Sequence, residues 1–168
     1  MSDWYYRFNF RLYLVSFPRF ISLAAIGALS VLAGMQFIPT RRTNPPSYGE
    51  LTAPPQVETT FRRACYDCHS NATRWPWYSR VAPFSWLVIH HVTLGRQEVN
   101  FSEWSTYYPA TRRRKLEWIG RALHQENMPP WSYRLMHPAA RLTDSDRAVL
   151  EEWIDSKVAA LSTRQSTR

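Results

Sequence analysis

Cys65-Tyr66-Asp67-Cys68-His69 puts two thiols two residues apart and an imidazole directly after the second. Two thiols at this spacing on one turn can add to the two vinyl groups of a haem. The following histidine can then give a ring nitrogen to the iron as proximal ligand. The chain has no other cysteine, so this use consumes both thiols. Three other readings of the same residues stay open. A thioredoxin-type dithiol needs a βαβ context, which the pattern does not show. A structural zinc site needs more ligands, yet His90, His91, His124 and His137 form no H-x3–5-H pair with His69. Two cysteines at helical spacing also suit a packed core.

A low-spin electron carrier needs a second axial ligand. Met1 starts the chain and Met35 falls in an apolar run, which leaves Met128 and Met136. Met128 opens Met128-Pro129-Pro130 after a helix expected to end near Asn127. Two prolines stiffen that loop, so a thioether there is presented at little ordering cost. Met128 is therefore the expected distal ligand, with Met136, His91 and an open position as rivals. Simple gap-filling by Met128 is the structural alternative. Arg74-Trp75-Pro76-Trp77-Tyr78-Ser79-Arg80 follows the cysteine motif. Trp75, Trp77 and Tyr78 offer flat apolar area with one donor each, the chemistry of a haem-lining loop, though also of an ordinary core-covering loop. Arg112-Arg113-Arg114-Lys115 reads either as a solvated helix face or as a docking patch for an acidic redox partner or anionic lipid.

The elements that must position these groups read as helices. Val57, Phe61, Ala64, Cys65 and Cys68 share one helical face. Phe84, Leu87, Val88, His91 and Gly95 repeat it, as do Leu116, Ile119, Gly120 and Leu123. Leu150, Trp153, Ile154, Val158 and Leu161 form the last face, and Thr143-x-x-Asp146 resembles a capping box at its start. No stretch alternates as a strand. The expected fold is all-α: about four helices around one covalent haem in residues 55–161, after a Pro-rich linker at 39–54 and before a tail at 162–168. The 168 residues carry 45% apolar and 15% aromatic residues, which excludes wholesale disorder. The net charge is +8, from 19 Arg and 2 Lys against 13 acidic residues. Nucleic acid is not the expected partner of such a domain.

Phe20 to Ile38 carries no charge and shows no polar face. It reads as a single transmembrane anchor, with a cleaved signal or a buried core helix as alternatives. Trp4, Tyr5, Tyr6, Phe8, Phe10, Tyr13 and Phe17 precede it, interleaved with Arg7 and Arg11, and suit a cytoplasmic or interfacial segment over 1–19. Three basic residues before the span against two after it point to the N-terminus inside. Covalent haem attachment outside the cytoplasmic membrane agrees. The expectation is a single-pass inner-membrane protein with its haem domain facing the periplasm.

Several blocks resemble the bacterial haem-binding domain family. They are Cys65-x-x-Cys68-His69-Ser70-Asn71-x-Thr73-Arg74-Trp75-Pro76-Trp77-Tyr78, Ala82-Pro83-x-Ser85-Trp86-Leu87, Asn100-Phe101-Ser102-x-Trp104 and Met128-Pro129-Pro130-Trp131-x-Tyr133. The resemblance covers about residues 40–160, including Arg42-Thr43-Asn44-Pro45-Pro46. It implies a membrane-anchored, cytochrome-c-like protein with one haem c. Cys65 and Cys68 would attach the haem, with His69 proximal and Met128 distal to its iron. The expected function is one-electron transfer with a periplasmic or membrane redox partner, not enzymatic turnover. The alternative is a gas-sensing or peroxidase-like haem domain with a labile distal ligand.

Overall fold

The computed structural model describes the backbone of residues 3–166 and the side chains of residues 19–163. The aromatic series from Trp4 to Phe17 lies outside the described side chains. Seven α-helices, and no strand, occur among the described residues: α1 Asp3–Met35, α2 Pro55–Ala64, α3 Tyr66–His69, α4 Phe84–Glu98, α5 Pro109–His124, α6 Trp131–Met136 and α7 Asp144–Ser166. Short 3-10 turns occupy 77–80, 101–106 and 138–140. The all-α expectation therefore holds.

The membrane-span expectation does not. Among the described residues, no helix is long and apolar enough to cross a membrane. The expected 19-residue run is not all helix. α1 ends at Met35, and the run then leaves the helix through the turns Gln36→Ala33, Phe37→Gly34 and Ile38→Met35. Gln36 is engaged on both sides: its Nε2 donates to Leu32 O (2.9 Å) and Ala82 O (3.1 Å), and its Oε1 accepts from Ala82 N–H (3.0 Å). The helical part, from Phe20 to Met35, is about 16 residues or ~24 Å, short of the roughly 30 Å of a hydrocarbon core. The transmembrane anchor, and with it the single-pass inner-membrane, periplasm-facing placement, is corrected accordingly.

The chain divides into two compact units. One comprises residues 1–40 and 77–86; the other comprises 41–76 and 87–168 and carries most of the helices. In the second unit α5 packs along α7. Leu116 and Leu123 of α5 and Leu150 and Ile154 of α7 are almost fully buried. Pro55 and Pro109 start α2 and α5, where a missing N–H costs nothing. The box at α7 forms as the spacing suggested: Asp146 N–H donates to Thr143 Oγ1 (3.1 Å), and Thr143 N–H to Asp146 Oδ2 (2.9 Å). An aromatic centre joins α2 to the rest. Phe61 meets Phe101 at 5.1 Å and Trp153 edge-on at 5.8 Å, and Tyr66 stacks on Phe101 at 5.2 Å.

Two helical faces differ from the periodic reading. Val57, Phe61 and Ala64 are buried, but α2 stops before Cys68. Cys65 takes φ −124°, ψ −34° and caps it. The residues turned to the core are Val92 and Gly95 on α4 and Val99 just past its end, while Leu87 and Leu94 stay 49% and 44% exposed. The row 92–95–99 packs because glycine lets the last turn of the helix come close to the backbone of Cys68. The row 87–91–94 lies to one side.

Candidate functional site

The break at Cys65 builds the site. Its carbonyl accepts from Cys68 N–H (3.1 Å) and His69 N–H (2.9 Å), so α3 folds back as one tight turn. Both thiols and the imidazole therefore sit on a single turn. The thiols are free. Burial, and then the neighbouring thiol, pushes Cys65 up to about 12; burial, and then the Asp67 carboxylate, pushes Cys68 up to about 11. Thiols this basic are protonated at neutral pH, unlike the low-pKa cysteine of a dithiol redox pair. Nor do three or more His, Cys, Asp or Glu side chains assemble into a metal set among the described residues. The zinc reading thus lacks its further ligands.

His69 is oriented by backbone. Its Nδ1 lies 2.9 Å from Gly95 O and 3.1 Å from Val99 O. Only a protonated Nδ1 satisfies two carbonyls. The neutral ring then carries its lone pair on Nε2, the atom a metal would take. Burial lowers the His69 pKa below the usual imidazole value, against the raising effect of the two carbonyls, and this keeps the ring neutral. Gly95 makes the approach possible. A Cβ there would stand 2.6 Å from Cys68 O and 3.1 Å from Cys68 C, both backbone atoms. A lone glycine in a helical pattern is a signal of close approach. Periodicity had placed it only as one member of an apolar face.

Arg96, the next residue, ties the turn to the preceding chain. Its Nε donates to Ser70 O (2.8 Å), Nη1 to Thr43 O (2.9 Å), and Nη2 to Thr73 Oγ1 (2.9 Å) and Asn44 Oδ1 (3.2 Å). Burial lowers its pKa. Asn44 Oδ1 also accepts from Trp75 Nε1 (3.2 Å), so the indole N–H of Trp75 is spent on the linker. Asn71 closes the other side: its Nδ2 donates to Pro46 O (2.9 Å), its N–H to Ser102 Oγ (3.0 Å), and its Oδ1 accepts from Asn100 Nδ2 (2.9 Å). Nothing in the residue spacing marked Arg96, Asn44 or Asn100, because their partners are distant in sequence.

Asp67, inside the motif, is a second hub. Its Oδ1 accepts from Arg74 N–H (3.0 Å) and Nε (3.3 Å), and its Oδ2 from Tyr133 O–H (2.7 Å). Tyr133 in turn stacks on His137 at 4.1 Å. The bond thereby brings α6, which follows Met128-Pro129-Pro130 in the chain, to the cysteine turn. Met128 itself is half-buried and Pro129 buried. Trp77 and Tyr78 belong to the first unit, where they meet edge-on at 5.8 Å, with Trp77 72% exposed. Met136 is exposed and His91 half-buried. Of the basic run, Arg112 binds Ser105 O (2.7 Å) and Arg113 binds Glu117 (2.8 Å). Lys115 binds Glu98 O and lies over the Tyr107 ring. Three of its four cations thus hold their own chain.

A neutral imidazole held through Nδ1–H by two backbone carbonyls thus stands beside two free thiols. The family described as haem-binding domain matches residues 30–156. The chain belongs to the haem-binding domain family. No curated protein and no solved structure matches it. The site residues suit the group. His69 has a free Nε2 and both thiols are unpaired. This haem-binding domain thus carries donors of the right type on one rigid turn.

Proposed function

We propose that this haem-binding domain holds a single haem c and works as a one-electron carrier rather than an enzyme, exchanging electrons with a redox partner not yet identified. One observation supports it above the rest: the doubly anchored Nδ1–H of His69 leaves Nε2 as a ligand on the same turn as two free thiols. Cys65 and Cys68 hold the group through thioether bonds, His69 through Nε2 and Met128 through its sulfur. A bound haem supplies an Fe(II)/Fe(III) couple, whose potential Met/His ligation raises. The protein's own contribution is to keep His69 neutral and to fix its ring. Arg96 and Asn71 prevent the turn from rearranging between the two oxidation states.

The test begins with the full chain made in cells that attach haem c. Haem that stays with the polypeptide through denaturing electrophoresis, and is lost in the Cys65→Ala, Cys68→Ala double variant, is the expected result. Haem that leaves the denatured wild-type chain overturns covalent attachment. The ferric spectrum should show the weak far-red sulfur-to-iron band, absent in Met128→Ala. An unchanged spectrum in that variant sinks the distal assignment. Rapid carbon monoxide binding to the reduced wild-type protein would instead favour a gas-sensing or peroxidase-like domain.

A further inference from the structure

We propose that Asp67 and Tyr133 are positioning residues for the distal ligand, and that their hydrogen bond clamps the Met128 segment onto the haem-attaching turn. The inference rests on the reading of Met128 as that ligand. Asp67 is only 8% exposed and sits between the two cysteines, so its place is fixed by the same turn that fixes His69. The bond to Tyr133 O–H is 2.7 Å long and joins residues 66 apart in sequence. A neutral donor on a carboxylate makes a strong bond of this kind.

Chain stiffness carries the restraint from Tyr133 to Met128. The N–H groups of Tyr133 and Arg134 both donate to Pro130 O, at 3.0 and 3.1 Å. Pro130 to Arg134 is therefore one closed helical turn. Pro129 and Pro130 have fixed φ, which leaves few soft torsions between that turn and Met128. The other end of the segment is held elsewhere. Arg63 Nη1 donates to Ala139 O (2.6 Å) and Arg141 O (3.0 Å), and Arg63 pairs with Asp146 at 2.9 Å. Arg63 holds the segment to α2, whereas Tyr133 holds it to the cysteine turn. Loss of the Tyr133 hydroxyl leaves the Arg63 anchor intact. Asp67 also keeps its bonds from Arg74. The fold then survives while Met128 gains freedom to leave the iron.

The experiment compares the haem-loaded full chain with Tyr133→Phe, Asp67→Leu and Met128→Ala. It reads the far-red band, the rate of carbon monoxide binding to the reduced protein, and the melting temperature. One hydrogen bond to a charged group is worth roughly a factor of ten in an equilibrium. Tyr133→Phe is expected to bind carbon monoxide about tenfold faster than wild type, to lose part of the far-red band, and to melt close to wild type. Asp67→Leu should show the same ligand effects on whatever fraction folds. Wild-type band and kinetics in Tyr133→Phe, alongside a lost band in Met128→Ala, overturn the clamp and leave the function standing. A lower melting temperature with wild-type carbon monoxide kinetics makes the bond structural only and also overturns it. A band that survives Met128→Ala removes the distal assignment itself, and the clamp falls with it.

Discussion

The turn that carries His69 and the segment that carries Met128 are held in different ways. Around His69 the restraints are many and largely to backbone: two carbonyls on Nδ1, the Cys65 carbonyl closing the turn, and four acceptors around Arg96. α4 lies against the turn with no room for a side chain at Gly95. The Met128 segment is stiff within itself but meets the turn through a side-chain bond, Tyr133 to Asp67. Many small restraints make a site that does not yield in parts. A stiff arm on a side-chain latch can let go as a unit.

The strongest way to break the comparison is at Gly95. Gly95→Val puts a branched side chain against backbone atoms of Cys68 that cannot swing aside. A loss of about 3 kcal/mol or more is expected, together with poor haem retention. Denaturant midpoints of the purified chain check it, and near-wild-type stability would show that the contact is looser than the distances say. Next comes Arg96→Ala, which removes a donor fork from four acceptors. It should cost about 2–3 kcal/mol. Arg96→Lys should recover little of that loss, because one ammonium cannot span the fork. Full rescue by lysine would reduce Arg96 to a surface charge.

Tyr133→Phe sharpens the comparison from the other side. Its stability cost should be only about 1 kcal/mol, since Asp67 keeps Arg74, whereas its effect on ligand exchange should exceed that of any change around Arg96. Equal effects on both readouts would abolish the distinction between the regions. The smallest effect belongs to the remote start of α7. Thr143→Ala should cost about 1 kcal/mol through loss of the cap, with the carbon monoxide rate unchanged.

Asp146 adds a pH signature. Burial pushes its pKa up, but the Thr143 N–H, Arg63 and the Thr143 hydroxyl outweigh it and hold the carboxyl below its usual 3.8. A depressed folded pKa contributes stability above the unfolded value. That contribution is lost as pH falls from about 3.8 through the lower folded value. Asp146→Asn should flatten the acid limb of the stability curve there. An unchanged limb would show that the ion pair with Arg63, on a partly exposed surface, adds nothing measurable.

Much of the fold was legible in the residues. Local signals carried it: the cysteine–histidine spacing that falls on one turn, the capping box of α7 and the 3.6-residue periodicity that made the domain all-α. Two local readings failed for physical reasons. Apolar content over Phe20–Ile38 does not say where the helix ends, and Gln36 turns the chain there. Apolar periodicity on α4 does not say which row meets the core, and a glycine decided that.

The amino-acid order alone determined the donor types and their spacing on one turn, because haem chemistry and helix geometry act over a few residues. Only the tertiary structure decided that Gly95 and Val99 orient the imidazole, that Arg96 ties the linker to the turn, and that Tyr133 reaches Asp67. Each of these joins residues distant in sequence, and such a contact exists only once packing has brought its two ends within a hydrogen bond's length.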